Sequence, residues 1–140
     1  MAARVISVGY QQRTPAELIE ILACHNVHRL IDVREAPISR KRGFSKTALR
    51  AELETAGIEY LHVQPAGNPF RKEKHDLEAC LQHYASYLAE NPVVIDQIAA
   101  LLLDRPVAVL CYERQHSECH RSVLLSALTD RGVHLEVIKA

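Results

Sequence analysis

Val107-Ala108-Val109-Leu110-Cys111-Tyr112-Glu113-Arg114-Gln115-His116-Ser117-Glu118-Cys119-His120-Arg121 changes character twice in fifteen residues. With Pro106 ahead of it, the run to Cys111 is the most apolar of the chain. It is short and rich in Val and Leu, as a strand buried on both faces must be. Residues 112–118 are a polar loop. From Cys119 to Arg131 the spacing becomes helical, with Leu124, Ala127 and Leu128 on one face, and Gly132 is a natural stop. Strand, loop and helix in this order are the unit of an α/β fold.

The same alternation runs outward in both directions. Residues 5–8 form a β-branched strand ended by Gly9, and Thr14-Pro15-Ala16-Glu17 reads as a capping box opening a helix with Leu18, Ile21 and Leu22 on its inner face. Leu30-Ile31-Asp32-Val33 is a second strand, stopped by Pro37. Ser45 caps a second helix that runs to Ala56 and ends at Gly57. A third strand spans 58–63, followed by a loop over 64–74 that contains Pro65, Gly67, Asn68 and Pro69. Leu77, Leu81, Tyr84 and Leu88 make one helical stripe, Asn91-Pro92 breaks it, and a further helix reaches about Asp104. Residues 133–138 are the last strand. The expectation is one three-layer α/β domain over 1–140. Its sheet is mostly parallel, of about five strands, with helices on both faces. Strand order is not readable from this pattern.

Composition narrows the function. The chain has 140 residues, 48% hydrophobic and 24% charged, which suits one globular domain without a stabilising metal or disulfide. Lys and Arg total 17 and so do Asp and Glu, giving no net charge. A globally basic nucleic-acid binder is not indicated, and nucleic acid is not the favoured partner. No Trp and two Phe leave no aromatic stacking platform. No apolar stretch is long enough for a signal peptide or a membrane span. The expected location is the cytoplasm, with Cys24, Cys80, Cys111 and Cys119 as reduced thiols. Oligomeric state is not readable.

In a parallel α/β sheet, function gathers where the strands end. Gly9-Tyr10, Asp32 to Arg34, residues 64–71 and Cys111 to Glu113 all emerge on that edge. Cys119 stands at a helix start, where free backbone N–H groups and the helix dipole favour a thiolate, with His120 beside it. Arg121 in the first helical turn opposes the dipole, which an anion facing it would explain. Cys111, at the end of an apolar strand, taken alone reads more as packing than as chemistry, and Cys24 and Cys80 read as core. Asp32 and Arg34 lie on one side of their strand, as a structural ion pair or with Arg34 reaching a ligand. Arg40, Lys41, Arg42 and Lys46, with Arg71, Lys72 and Lys74, are either solvated surface or the rim of one cleft. Cys111, Glu113, His116, Cys119 and His120 are all of metal-ligand type, but their spacing matches no zinc-finger or HExxH pattern.

Several of these stretches together resemble the DUF488 family, whose function is largely undefined. The resemblance rests on Ser7-Val8-Gly9-Tyr10 with Arg13-Thr14-Pro15, and on Asp32-Val33-Arg34 with Pro37 and Ser39-Arg40. Phe44-Ser45-Lys46, Gly57-Ile58-Glu59-Tyr60 and Gly67-Asn68-Pro69 with Arg71 extend it. Cys111-x-Glu113 followed by Cys119-His120-Arg121 is its most specific part. A fainter likeness to rhodanese-type sulfurtransferases lies in residues 30–35 and in the strand ending at Cys111. The loop from there to Arg121 is longer than a rhodanese loop and carries a second Cys-His.

The combined expectation is a polar cleft that binds a small anionic molecule and supports a thiol-dependent reaction. Cys119, or alternatively Cys111, would be the nucleophile, and Glu113 or His120 the base. Tyr10, Asp32, Arg34, Arg40, Asn68, Arg71 and Arg121 would contact the ligand, with Arg34 and Arg121 as the clamp. No cofactor is called for. The competing readings are a metal-binding protein using the loop from Cys111 to His120 and a non-catalytic module for nucleic acid or a partner protein.

Overall fold

Thr14 opens the first helix as its sequence predicts. Its hydroxyl accepts from the Glu17 N–H, and the Glu17 carboxylate accepts from the Thr14 N–H, with Pro15 at the first helical position. This helix is the first of five in a computed structural model that describes residues 2–73 and 75–140. Lys74, expected in the basic rim, lies outside the described residues.

In chain order the elements are β1 (Ala3–Gly9), α1 (Pro15–Cys24), β2 (Arg29–Asp32), α2 (Lys46–Thr55) and β3 (Glu59–His62). Then come α3 (Leu77–Glu90), α4 (Pro92–Leu101), β4 (Val107–Cys111), α5 (His120–Asp130) and β5 (Leu135–Lys139). The five strands form one wholly parallel sheet in the order β3-β2-β4-β1-β5. Every residue of β4 is buried, because it is the central strand, covered on both faces.

The two faces carry separate cores. Leu18 and Leu22 of α1 and Leu49 and Leu53 of α2 pack on one face, with Ile6, Val8, Leu30 and Leu110. Tyr84 and Leu88 of α3, Ile95 and Ile98 of α4, and Leu124 and Leu128 of α5 pack on the other, with Val5, Ile31 and Val109. The connections leaving β1 and β2 therefore run over one face and the one leaving β4 over the other. The carboxyl end of β4 is thus a topological switch point, where α/β sheets open a crevice.

Some sequence expectations shift in detail. The fourth helix stops at Leu101 rather than near Asp104, because Leu102 turns to extended backbone. Ser45 starts α2 but makes no side-chain cap; its Oγ bonds to the N–H and carbonyl of Ser39 and closes the loop between them. Cys24, expected in the core, is exposed on α1. Leu77 and Leu81 do not extend the buried stripe of α3, whose buried residues are Cys80, Tyr84 and Leu88.

Candidate functional site

Backbone pairing carries the strand edges into the site. Beyond the strands, Tyr10 and Gln11 donate to the carbonyls of Cys111 and Tyr112, and Val33 donates to Leu110. The loop after β4 rides directly over Gly9. A Cβ at Gly9 would collide with the Glu113 carbonyl, and one at Gly67 with the Glu35 backbone. Both glycines admit a close backbone approach that no side chain permits.

A cavity of about 290 Å³ opens on this edge. The loops after β1 and β2 contribute Tyr10, Arg34 and Arg40, and the loop after β3 contributes Asn68 and Arg71. Cys111, Glu113 and His120 come from the end of β4 and the start of α5. These eight were among the residues expected at the site. Asp32, Cys119 and Arg121 do not line it: Asp32 and Arg121 have no exposed surface and Cys119 has 1%. They form a layer beneath the wall.

Under the wall at β2, Asp32 and Arg34 make a buried ion pair. Arg34 Nε lies 2.9 Å from Asp32 Oδ1, and Nη2 lies 2.7 Å from Oδ2. Nη1 donates to the Tyr10 hydroxyl and the Phe44 carbonyl. Tyr60 Oη donates to Asp32 Oδ2 at 2.5 Å. Burial and the neighbouring Asp32 carboxylate push the Tyr60 hydroxyl well up, so it stays a donor. Burial would lower the Arg34 guanidinium, but Asp32 outweighs it and raises it instead. Tyr10 stacks on Phe44 at 4.4 Å between centroids. These contacts make the Asp32 unit a fixed support for the cavity wall.

The second layer is the cluster of Cys111, Cys119 and His120, whose potential ligand atoms all lie within 4.8 Å of one another. His120 Nε2 is 2.8 Å from the Val33 carbonyl. A carbonyl only accepts, so Nε2 carries the hydrogen and Nδ1 faces the sulfurs. The Nδ1 distances are 3.7 Å to Cys111 Sγ and 3.6 Å to Cys119 Sγ. Tyr84 lies edge-on to the ring, 5.0 Å between centroids. Arg121 Nε donates to Cys119 Sγ at 3.2 Å, Nη2 donates to the Glu113 carbonyl, and buried Nη1 has no hydrogen-bond partner.

The electrostatics separate the two thiols. Interaction with the Cys119 sulfur, then burial, pushes Cys111 well up. Burial alone would raise Cys119, yet Cys111, His120 and Arg121 together hold it well below the usual thiol range. Burial disfavours the charged form of His120, but Cys119 outweighs burial and raises it. Of the two thiols Cys119 is held the lower, and the sulfur facing the cavity is that of Cys111.

Sequence reasoning missed two positioning groups. The Val33 carbonyl sets the His120 tautomer, and no side-chain motif reports a main-chain acceptor. Tyr84 was visible only as part of an apolar stripe. His116 is ligand-like in sequence but bonds to Ser7 Oγ at 2.6 Å, apart from the cluster. His62 bonds to the Arg34 carbonyl.

Among the described residues, no helix is long and apolar enough to cross a membrane. Neither the curated proteins nor the solved structures compared with the chain include a match. Nothing in these comparisons supports the fainter likeness to rhodaneses. Residues 14–128 match the family described as Domain of unknown function DUF488. That match spans the switch point, the buried Arg34 and Arg121 and the whole Cys-His cluster, and the chain belongs to the DUF488 family.

Proposed function

We propose that this protein binds a small anionic ligand in the cavity at the strand ends and acts on it with the thiol-bearing cluster in the cavity floor. One observation carries the reading. Arg40 and Arg71, from loops after different strands, line the same cavity as Cys111 and His120. Arg34 is committed to Asp32, whereas neither Arg40 nor Arg71 has an ion-pair partner among the described residues. Both are exposed, so their side chains are available to a ligand. A carboxylate, phosphate or sulfate is the chemistry that two such guanidinium groups recognise.

The roles follow from position. Arg40 and Arg71 hold the anion, with Asn68 and Tyr10 beside them. Glu113, on the wall with Cys111, is the acid–base group. Cys111 faces the ligand; Cys119, beneath it, acts through Cys111 and His120. Arg121 belongs to the floor and not to the clamp. Cytoplasmic location and reduced cysteines fit this use of thiols.

Inorganic phosphate tests the binding half. It should raise the melting temperature by mass action, more than chloride at equal ionic strength does. Arg40→Ala and Arg71→Ala should each remove most of that rise while leaving the phosphate-free melting temperature near that of the parent protein. A phosphate response no larger than that of chloride would end the anion reading.

A further inference from the structure

We infer that Cys111 Sγ, Cys119 Sγ and His120 Nδ1 are three ligands of a zinc-type site whose fourth position opens into the cavity. The first argument is the spacing. Zinc takes sulfur at about 2.3 Å and imidazole nitrogen at about 2.0–2.1 Å, which makes a tetrahedral sulfur–nitrogen edge of about 3.6 Å. The two edges here are 3.7 and 3.6 Å. A single imidazole nitrogen has one lone pair and makes one directed hydrogen bond. Near-equal distances to two sulfurs suit a shared ion at their centre better than they suit hydrogen bonds.

The second argument is what holds each ligand. Metal-bound histidines donate their other ring N–H to a carbonyl or carboxylate, which fixes the ring and its tautomer. His120 does this to the Val33 carbonyl at 2.8 Å. Metal-bound thiolates accept N–H donors, and Arg121 Nε supplies one to Cys119 at 3.2 Å. Two sulfurs and one imidazole form a soft donor set, which selects zinc over magnesium, calcium or manganese. The chain lacks the spacing of a zinc finger because the ligands come from the end of a strand and the first turn of a helix, brought together by the sheet.

Three protein ligands leave one position for water or substrate, as in catalytic rather than structural zinc sites. Cys111 and His120 are on the cavity wall and Cys119 is behind them, so the open side faces the cavity. That ion would polarise an anion's oxygen or a bound water. The three ligands stand independently of the proposed function; the identity of the fourth, an oxygen of the bound anion, rests on it.

Cobalt(II) is the probe, since it takes the same site and reports its ligands optically. Reduced, metal-stripped full-length protein should bind one equivalent. It should show the visible bands of a tetrahedral ion and a sulfur-to-cobalt charge-transfer band in the near ultraviolet, and zinc should displace both. Cys111→Ser, Cys119→Ser and His120→Ala should each weaken binding at least about 100-fold, whereas Cys24→Ser, at an exposed cysteine, should leave it unchanged. Wild-type protein without the charge-transfer band, or cluster variants that bind as tightly as the parent, would overturn the site. If a cluster variant does not fold, the wild-type spectrum decides. Phosphate separates the two readings. Normal cobalt bands that phosphate perturbs support both. Normal bands that phosphate leaves unmoved, without any thermal shift, sink the anion reading and leave the metal site standing.

Discussion

Arg34 and Arg121 are both buried at this sheet edge, and the protein treats them in opposite ways. Arg34 faces a carboxylate in a fork: Asp32 takes Nε and Nη2, and Tyr10 and Phe44 take Nη1. Arg121, with no exposed surface, faces a sulfur and a main-chain carbonyl, and its Nη1 has no hydrogen-bond partner. Burying a guanidinium costs several kcal/mol unless charge and hydrogen bonds compensate it. At Arg34 the compensation is permanent. At Arg121 it depends on the state of Cys119, which is negative only as a thiolate or a metal thiolate. The first is a rivet in the cavity wall. The second couples the floor of the cavity to the chemistry of a thiol.

The largest expected effect breaks the rivet. Asp32→Asn removes the carboxylate from a pair with almost no exposure and leaves Arg34 charged, buried and unpaired. The expected loss is about 3–5 kcal/mol, read from chemical denaturation. Glu35→Asn, one residue beyond Arg34 at a half-buried position, should change stability by less than about 0.5 kcal/mol. Similar midpoints for the two variants would mean that the Asp32 pair is not the support described here.

The second effect sharpens the contrast. Arg121→Met keeps much of the volume and removes the charge. Its partners, unlike Arg34's, include no permanent charge. The expected loss is about 1–3 kcal/mol, from the lost hydrogen bonds to the Glu113 carbonyl and Cys119 Sγ and a poorer fit, less than for Asp32→Asn. The same variant should weaken cobalt binding by about 10–100-fold, as removing a ligand's supporting donor does. A loss as large as that of Asp32→Asn, with unchanged cobalt affinity, would make Arg121 a second rivet instead.

These contrasts also mark where sequence stopped being informative. The alternation of strands and helices was plain, because burial on two faces demands apolar strands and amphipathic helices. The capping box at Thr14 and the edge where function collects were plain for similar local reasons. Strand order was not, since β3-β2-β4-β1-β5 depends on which face each helix chooses, and each of the five helices has an apolar face. The cavity residues Tyr10, Arg34, Arg40, Asn68 and Arg71 were legible because they follow strands. Arg121 was read as a ligand clamp because an arginine in a first helical turn looks electrostatically misplaced. Position along a helix does not reveal which way the turn faces. In the fold Arg121 points beneath the wall, and its companion is Cys119, two residues before it. The meeting of Cys111 with His120 was likewise hidden, because it depends on how the loop of 112–118 closes over Gly9.

The smallest effect gives a direct reading of the charge left on Arg121. His116, half-buried and bonded to Ser7, is held below the ordinary histidine value of about 6.5. Burial is the main cause, followed by the positive charges of Arg121 and Lys139, while Cys119 pulls the other way. The unfolded chain binds this proton more readily than the folded one. The contribution to stability is therefore complete above the unfolded value near 6.5 and is lost as pH falls toward the lower folded value. His116→Asn should erase that part of the acid-side decline and leave stability above pH 7 nearly as it was. Arg121→Met should move the His116 titration, followed by NMR, part of the way back up, because burial and Lys139 remain. A titration that Arg121→Met leaves in place would mean that Cys119 already cancels the guanidinium charge, and that the two arginines differ only in the chemistry of their partners.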